Sequence, residues 1–194
     1  MRGSAGLTLI ELMLTLAIGA TVTGMAIPLA SEAIDEMRTA SAARYVAARI
    51  GSVRLDAVRH SQATALRFEV TGDAAEYQFT PVADGNGNGV RTTDIRDGTD
   101  PPMGAPERLC EKFAGVTFAL MADVPDADGQ AGTGEDGVRI GSARILTMSS
   151  DGTATSGTLY IRGRRSQYAV RVLGVTGRTR VLHYQAQNRT WISR

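Results

Sequence analysis

Leu-Thr-Leu-Ile-Glu-Leu-Met-Leu-Thr-Leu-Ala-Ile-Gly-Ala-Thr-Val-Thr-Gly-Met-Ala-Ile-Pro-Leu-Ala occupies residues 7–30, and the fold follows from how this stretch is read. Glu11 is the only ionisable side chain in these 24 residues. At about 1.5 Å per residue, a helix of this length crosses a hydrocarbon core of roughly 30 Å. A lone carboxylate in such a segment is expensive and is a functional candidate by default. A secretory signal cut after Pro28-Leu29-Ala30 competes with this reading. Its apolar core would be too long, however, and would contain a carboxylate. Arg2 and the amino terminus favour the cytoplasmic side, so everything after the span is expected outside the cytoplasm.

Beyond Pro28 the helical pattern continues and becomes amphipathic. Ala42, Val46, Ile50, Val53 and Ala57 recur at helical spacing on one face, while Arg38, Arg49, Arg54 and Arg59 lie on others. Ser61-Gln62 ends the pattern. The spacing thus predicts one helix with a membrane half over 7–30 and an amphipathic half over 31–62, followed by a β-rich domain over 63–194. Leu66, Phe68 and Val70 alternate with polar residues, turn at Thr71-Gly72-Asp73, and return through Tyr77 and Phe79 as a hairpin. Short strands are also expected at 116–120, 138–140, 144–148, 158–162 and 168–173, about seven in all.

The Gly6-Leu7 junction lies just before the span, Glu11 is the fifth residue counted from Leu7, and Pro28 is the twenty-second. This arrangement resembles the class III leader of type IV pilins and pseudopilins. The resemblance implies that residues 1–6 are a leader removed by prepilin peptidase between Gly6 and Leu7. It also implies that Glu11 meets the new amine of a neighbouring subunit to set filament register, and that Pro28 kinks the helix. Leu7 departs from the phenylalanine usual at the first mature position, which bears on N-methylation. A long N-terminal helix followed by antiparallel sheets is the pilin-like α+β arrangement, and two small sheets around the helix are typical of the GspH/FimT branch. The implied setting is the bacterial inner membrane, crossed once with the globular domain in the periplasm. The implied partners are other pilins or pseudopilins in a filament and the inner-membrane assembly platform.

Cys110 is the only cysteine, so no intrachain disulfide staples the domain, which must be held by packing or with help from a metal. Asp84, Asn86 and Asn88 alternate with glycines like the opening half of a calcium loop, and are candidate calcium ligands. Position twelve is Ile95 where a bidentate glutamate would close such a loop, and a plain Asn-Gly turn explains the same residues. Asp126, Asp128, Glu135 and Asp136 form a second acidic cluster whose spacing fits no ligand pattern. His60 and His183 are the only histidines, and no nucleophile, phosphate-loop or metalloprotease motif is present, so an enzyme is not expected.

Charge is distributed unevenly. Residues 69–137 hold 14 acidic and 4 basic side chains, net −10, and residues 138–194 hold 1 acidic side chain and 10 arginines, net +9. Gly177-Arg178-Thr179-Arg180 matches the Gly-Arg-x-Arg element of FimT-like minor pilins linked to DNA uptake. Arg178 and Arg180 would share one side of a strand, with Arg164 and Arg165 in a hairpin turn and Tyr184 and Trp191 offering stacking surfaces. Two roles therefore stand: a minor subunit of a type II secretion pseudopilus, GspH-like and placed at or near the filament tip, and a FimT-like pilin that grips DNA without sequence preference. In the first, the basic strands lie beside the chain's own acidic loops or beside acidic neighbours.

Overall fold

The computed structural model describes residues 8–72, 76–130 and 136–193, with the backbone alone for 24–29. Helix α1 (Leu9–His60) is continuous over 52 residues and does not end at Pro28. Thr8 caps its start, where its Oγ1 accepts the Glu11 amide at 3.3 Å and satisfies one of the donors that a helix N-terminus leaves over. Ser61 ends the helix in a left-handed conformation, with φ of 51°. Ala42, Val46, Ile50, Val53 and Ala57 are all buried, as their spacing predicts.

Among the described residues ten strands and two short helices follow: β1 (Thr64–Thr71), β2 (Glu76–Ala83), α2 (Thr92–Arg96), β3 (Glu107–Arg108), α3 (Leu109–Lys112), β4 (Thr117–Phe118), β5 (Val138–Arg139), β6 (Ile145–Met148), β7 (Gly157–Arg162), β8 (Gln167–Leu173), β9 (Arg178–Gln185) and β10 (Thr190–Ser193). They form a four-stranded sheet in the order β3-β2-β1-β6 and a six-stranded one in the order β10-β9-β8-β7-β4, with β5 also on β7. All the pairings are antiparallel. The fold is therefore α+β, with two sheets sharing one helix.

Side-chain alternation gives each sheet two covered faces. Leu66, Phe68, Tyr77 and Phe79 from the first sheet, and Leu159, Ile161, Val170 and Val172 from the second, join the α1 stripe in one core. Phe118 fastens the sheets together, standing edge-on to Phe68 at 5.6 Å, Phe79 at 6.0 Å and Tyr77 at 6.4 Å. On the far side of the first sheet, Ala65, Val82 and Ile145 are roofed by Val90 of the loop after β2 and Ile95 of α2. On the far side of the second, Tyr160, Ala169 and Leu182 are roofed by Leu120 and Val124 of the loop after β4, together with Trp191.

The strand expectation needs correction. The run at 116–120 shrinks to two paired residues in β4; the Ala119 amide still donates to the Tyr160 carbonyl of β7 at 3.1 Å, and Leu120 turns into the roof. The strands β3 and β10 lie outside the count of seven, as does β9, of which only the part carrying Arg178 and Arg180 is expected as a strand. Residues 178–185 are half-exposed and mix charged with apolar residues, so they carry no clear period of two, and β10 has only four residues.

Phe118 is 3% exposed and touches three rings. Phe118→Ala should therefore cost about 3–5 kcal/mol, read as a shifted urea midpoint. A loss under about 1 kcal/mol would show that this ring does not join the sheets.

Candidate functional site

Gly6 and Leu7 lie outside the described residues. Glu11 sits exposed in the first turn of α1, among apolar side chains such as Leu9 and Ile10, each 76% exposed. Thr8 was missed in the sequence, although a threonine three residues before a glutamate is a known helix-start signal. Among the described residues no helix is long and apolar enough to cross a membrane. The expected span over 7–30 includes Leu7 and the side chains of 24–29, among them Pro28, which lie outside that description.

Where α1 meets the second sheet, Asp35 clamps the β7–β8 turn. Its Oδ1 accepts the Arg164 amide at 2.8 Å, and its Oδ2 accepts the amides of Arg165 at 2.9 Å and Ser166 at 3.1 Å and the Ser166 hydroxyl at 2.9 Å. Burial pushes this carboxyl up, but the three amides and the hydroxyl outweigh it and hold it below the usual range. A Cβ on Gly163 would stand 2.2 Å from the Thr39 hydroxyl, so only glycine lets the turn come this close. The Arg165 side chain pairs with Glu32, so the turn faces the helix, and its arginines contribute backbone as well as charge.

The Gly177–Arg180 element divides in two. Gly177 has φ of 59°, and a Cβ there would lie 2.3 Å from the Gly152 carbonyl and 2.6 Å from Arg54 Nε. Arg54 itself donates to that carbonyl at 2.9 Å. The glycine is thus required by packing, while Arg178 and Arg180 are exposed. Tyr184 and Trp191 face each other across β9 and β10 with ring centres 5.4 Å apart. The Trp191 Nε1 donates to the Pro125 carbonyl at 3.0 Å, which ties the indole to the roof of the second sheet.

The separated charge blocks meet in space. Arg139 reaches Asp126 at 2.7 Å, Arg171 reaches Asp128, and Arg144 reaches Asp136 at 3.0 Å. Burial pushes the Asp126 carboxyl up, yet the Gln130 and Asp128 amides and Arg139 bring it below the usual range. Burial and the hydrogen bond to Asp136 push the Tyr77 phenol up to about 12.

The side chains of Asp84, Asn86 and Asn88 are brought together with Asp94 and Asp100, and each serves the loop itself. Asp84, 3% exposed, accepts the amides of Gly87 at 2.8 Å and Gly89 at 2.7 Å. Asn86 and Asn88 both donate to Asp94 Oδ2, at 3.2 and 3.0 Å. Asp100, fully buried, accepts the amides of Gly85 and Arg91 at 3.0 Å each. Among the described residues no three His, Cys, Asp or Glu side chains group as a metal site. His60 Nδ1 lies 3.0 Å from the Asp56 carbonyl at the end of α1, and His183 stacks on Tyr168 at 4.5 Å. Burial and the neighbouring Glu76 carboxylate push the Cys110 thiol up, away from a nucleophilic thiolate.

Residues 1–27 match the prokaryotic N-terminal methylation motif. Two solved structures of the minor pseudopilin EpsH from the type II secretion system of Vibrio cholerae are similar to this chain. One has 16% identity and a TM-score of 0.46 over 75% of this chain and 97% of that one. The other has 14% identity and a TM-score of 0.42 over 81% and 94%. No curated protein sequence matches significantly. The chain carries this motif at the head of the α+β arrangement expected from its sequence, a long N-terminal helix followed by antiparallel sheets.

Asp35, Glu107, Asp126 and Asp136 all bind protons less readily when folded, so the unfolded chain takes up more protons as pH falls. Their contribution is complete above the ordinary carboxylate range, near pH 4, and is lost as pH falls through their lower folded values. Denaturation midpoints should thus be flat from neutrality to about pH 5 and drop steeply below about pH 4. Asp126→Asn should lower stability at neutral pH and flatten the acid limb; an unchanged limb would remove Asp126 from this account.

Proposed function

We propose that this chain is a minor, GspH-like subunit of a type II secretion pseudopilus, processed by prepilin peptidase, N-methylated, anchored in the inner membrane and assembled at or near the filament tip. The observation that carries this reading is the methylation motif over residues 1–27, whose described part lies on α1, the same helix on which the domain is built. A carboxylate at Glu11, alone among exposed apolar side chains, suits pairing with a neighbouring amine in an apolar setting. The domain serves as a binding body, and its role is structural.

DNA uptake finds less support. Of the four arginines in that reading, Arg165 pairs with Glu32, and the Arg164 amide is tied to Asp35. Arg164, Arg178 and Arg180 have exposed side chains with no ion pair among the described residues, and these three contacts would give a salt slope of about 3, at roughly 0.9 per phosphate.

Gly6→Val should leave the full-length precursor uncut, while Glu11→Ala should insert into the membrane and be cut but enter filaments poorly. Mass spectrometry and filament fractionation read the two outcomes. A wild-type protein that still starts at Met1 in a host with active prepilin peptidase would overturn the leader, and normal incorporation of Glu11→Ala would overturn the pairing.

For the Asp84 loop we infer a roofing task, since its carboxylates hold its own amides over the apolar patch of the first sheet. Calcium or chelator should then leave the melting temperature unchanged, whereas a rise with calcium would make the loop a metal site. Asp84→Ala should cost about 2 kcal/mol, because the Gly87 and Gly89 amides lose a charged acceptor.

A further inference from the structure

On the face of the second sheet turned away from α1, one row of directly opposed residues runs Arg139 on β5, Thr158 on β7, Arg171 on β8 and Arg180 on β9. Opposed residues in antiparallel strands share a side, with Cβ atoms about 5 Å apart, so Arg171 and Arg180 are like charges side by side. Such a pair is unfavourable unless something negative lies over it. The chain's own acidic loop covers the first part of the row: Asp126 takes Arg139 and Asp128, two residues on, takes Arg171. Beyond these two ion pairs the row continues onto β9. Arg180 and Arg178, two apart on the same face, are exposed and form no ion pair among the described residues.

The strand that carries them is also open at its margin. β10 pairs only with Leu182–Gln185 of β9, which leaves the outward backbone groups of residues 178–180 without a strand partner among the described residues. Such an edge is a template for a further strand. A groove of about 670 Å3 opens over β7, β8 and the turn that leads into β9, lined by Arg171, Leu173, Thr176 and Val175, the last 89% exposed.

We propose that the β9 edge from Arg178 to Arg180 docks an extended acidic segment of a partner protein. The segment adds a strand there and sets carboxylates at alternate positions against the two arginines. A strand repeats its faces every two residues, so one such segment meets Arg178 and Arg180 together while its backbone satisfies the edge. Asp126 and Asp128 on Arg139 and Arg171 are the internal precedent for the same chemistry. Those aspartates also count against a nucleic acid along this row, since they already neutralise Arg139 and Arg171 and leave it only Arg178 and Arg180 for phosphates. The inference is independent of the filament reading.

The test uses the full chain in detergent and a fluorescein-labelled peptide in which glutamate alternates with valine, followed by anisotropy at about 50 mM salt. The expected result is saturable binding that weakens about tenfold in the Arg178→Ala/Arg180→Ala double variant, or when the peptide carries glutamine for glutamate. Arg178→Glu/Arg180→Glu should lose that peptide and gain one in which lysine alternates with valine. No binding, binding indifferent to the double variant, or failure of the charge swap would each overturn the proposal. Tighter binding of a short DNA duplex through the same two arginines would overturn it in favour of nucleic acid.

Discussion

One face of one helix is buried against two sheets at once, and the rest of the domain is arranged around that fact. Ala40, Ala42, Ala43 and Ala57 are small enough to bring both sheets close, while Val46, Ile50 and Val53 fill the space between them. Burying apolar area is the main favourable term in folding, and here a single stripe provides it for both sheets. The sheets cannot therefore be treated as separate units. Phe118, edge-on to three rings of the other sheet, closes the seam that the helix leaves.

With α1 on one face of each sheet, the opposite faces still need cover, and both Gly- and Asp-rich loops supply it. Each loop turns a few apolar side chains inward and ties its carboxylates to backbone amides or to arginines. The block of negative charge before residue 138 and the block of arginines after it are halves of one folded surface. Their pairing places Arg139, Arg144 and Arg171 beside their partners and leaves Arg178 and Arg180 outside the arrangement.

The features readable in the sequence were those set by nearest neighbours. The stripe from Ala42 to Ala57, the end of α1 at Ser61 and the β1–β2 hairpin each follow from local period or turn chemistry. The methylation motif was equally plain because its residues lie close together. Asp35 carried no such signal. Its partners are 129 to 131 positions away, and only the assembled sheet brings their amides to one point. The Asp84 loop has the composition of a cation site, but composition does not reveal that its acceptors face their own amides. In the Gly177–Arg180 element, one short motif combines a packing requirement at the glycine with exposed charge at the arginines, and sequence presents the two as a single signal.

The Asp35 clamp also determines how the domain would carry a mechanical load. It lies near the point where α1 leaves the globular body, ahead of the buried stripe that begins at Thr39 and Ala40. Tension drawn along the exposed half of the helix would reach the β7–β8 turn first, through four hydrogen bonds to one carboxylate that share the strain in parallel. The turn joins two neighbouring strands, so force entering there is spread along both ladders of β8 instead of peeling one strand from an edge. In this geometry the helix works as a tow bar, and Asp35 is its coupling.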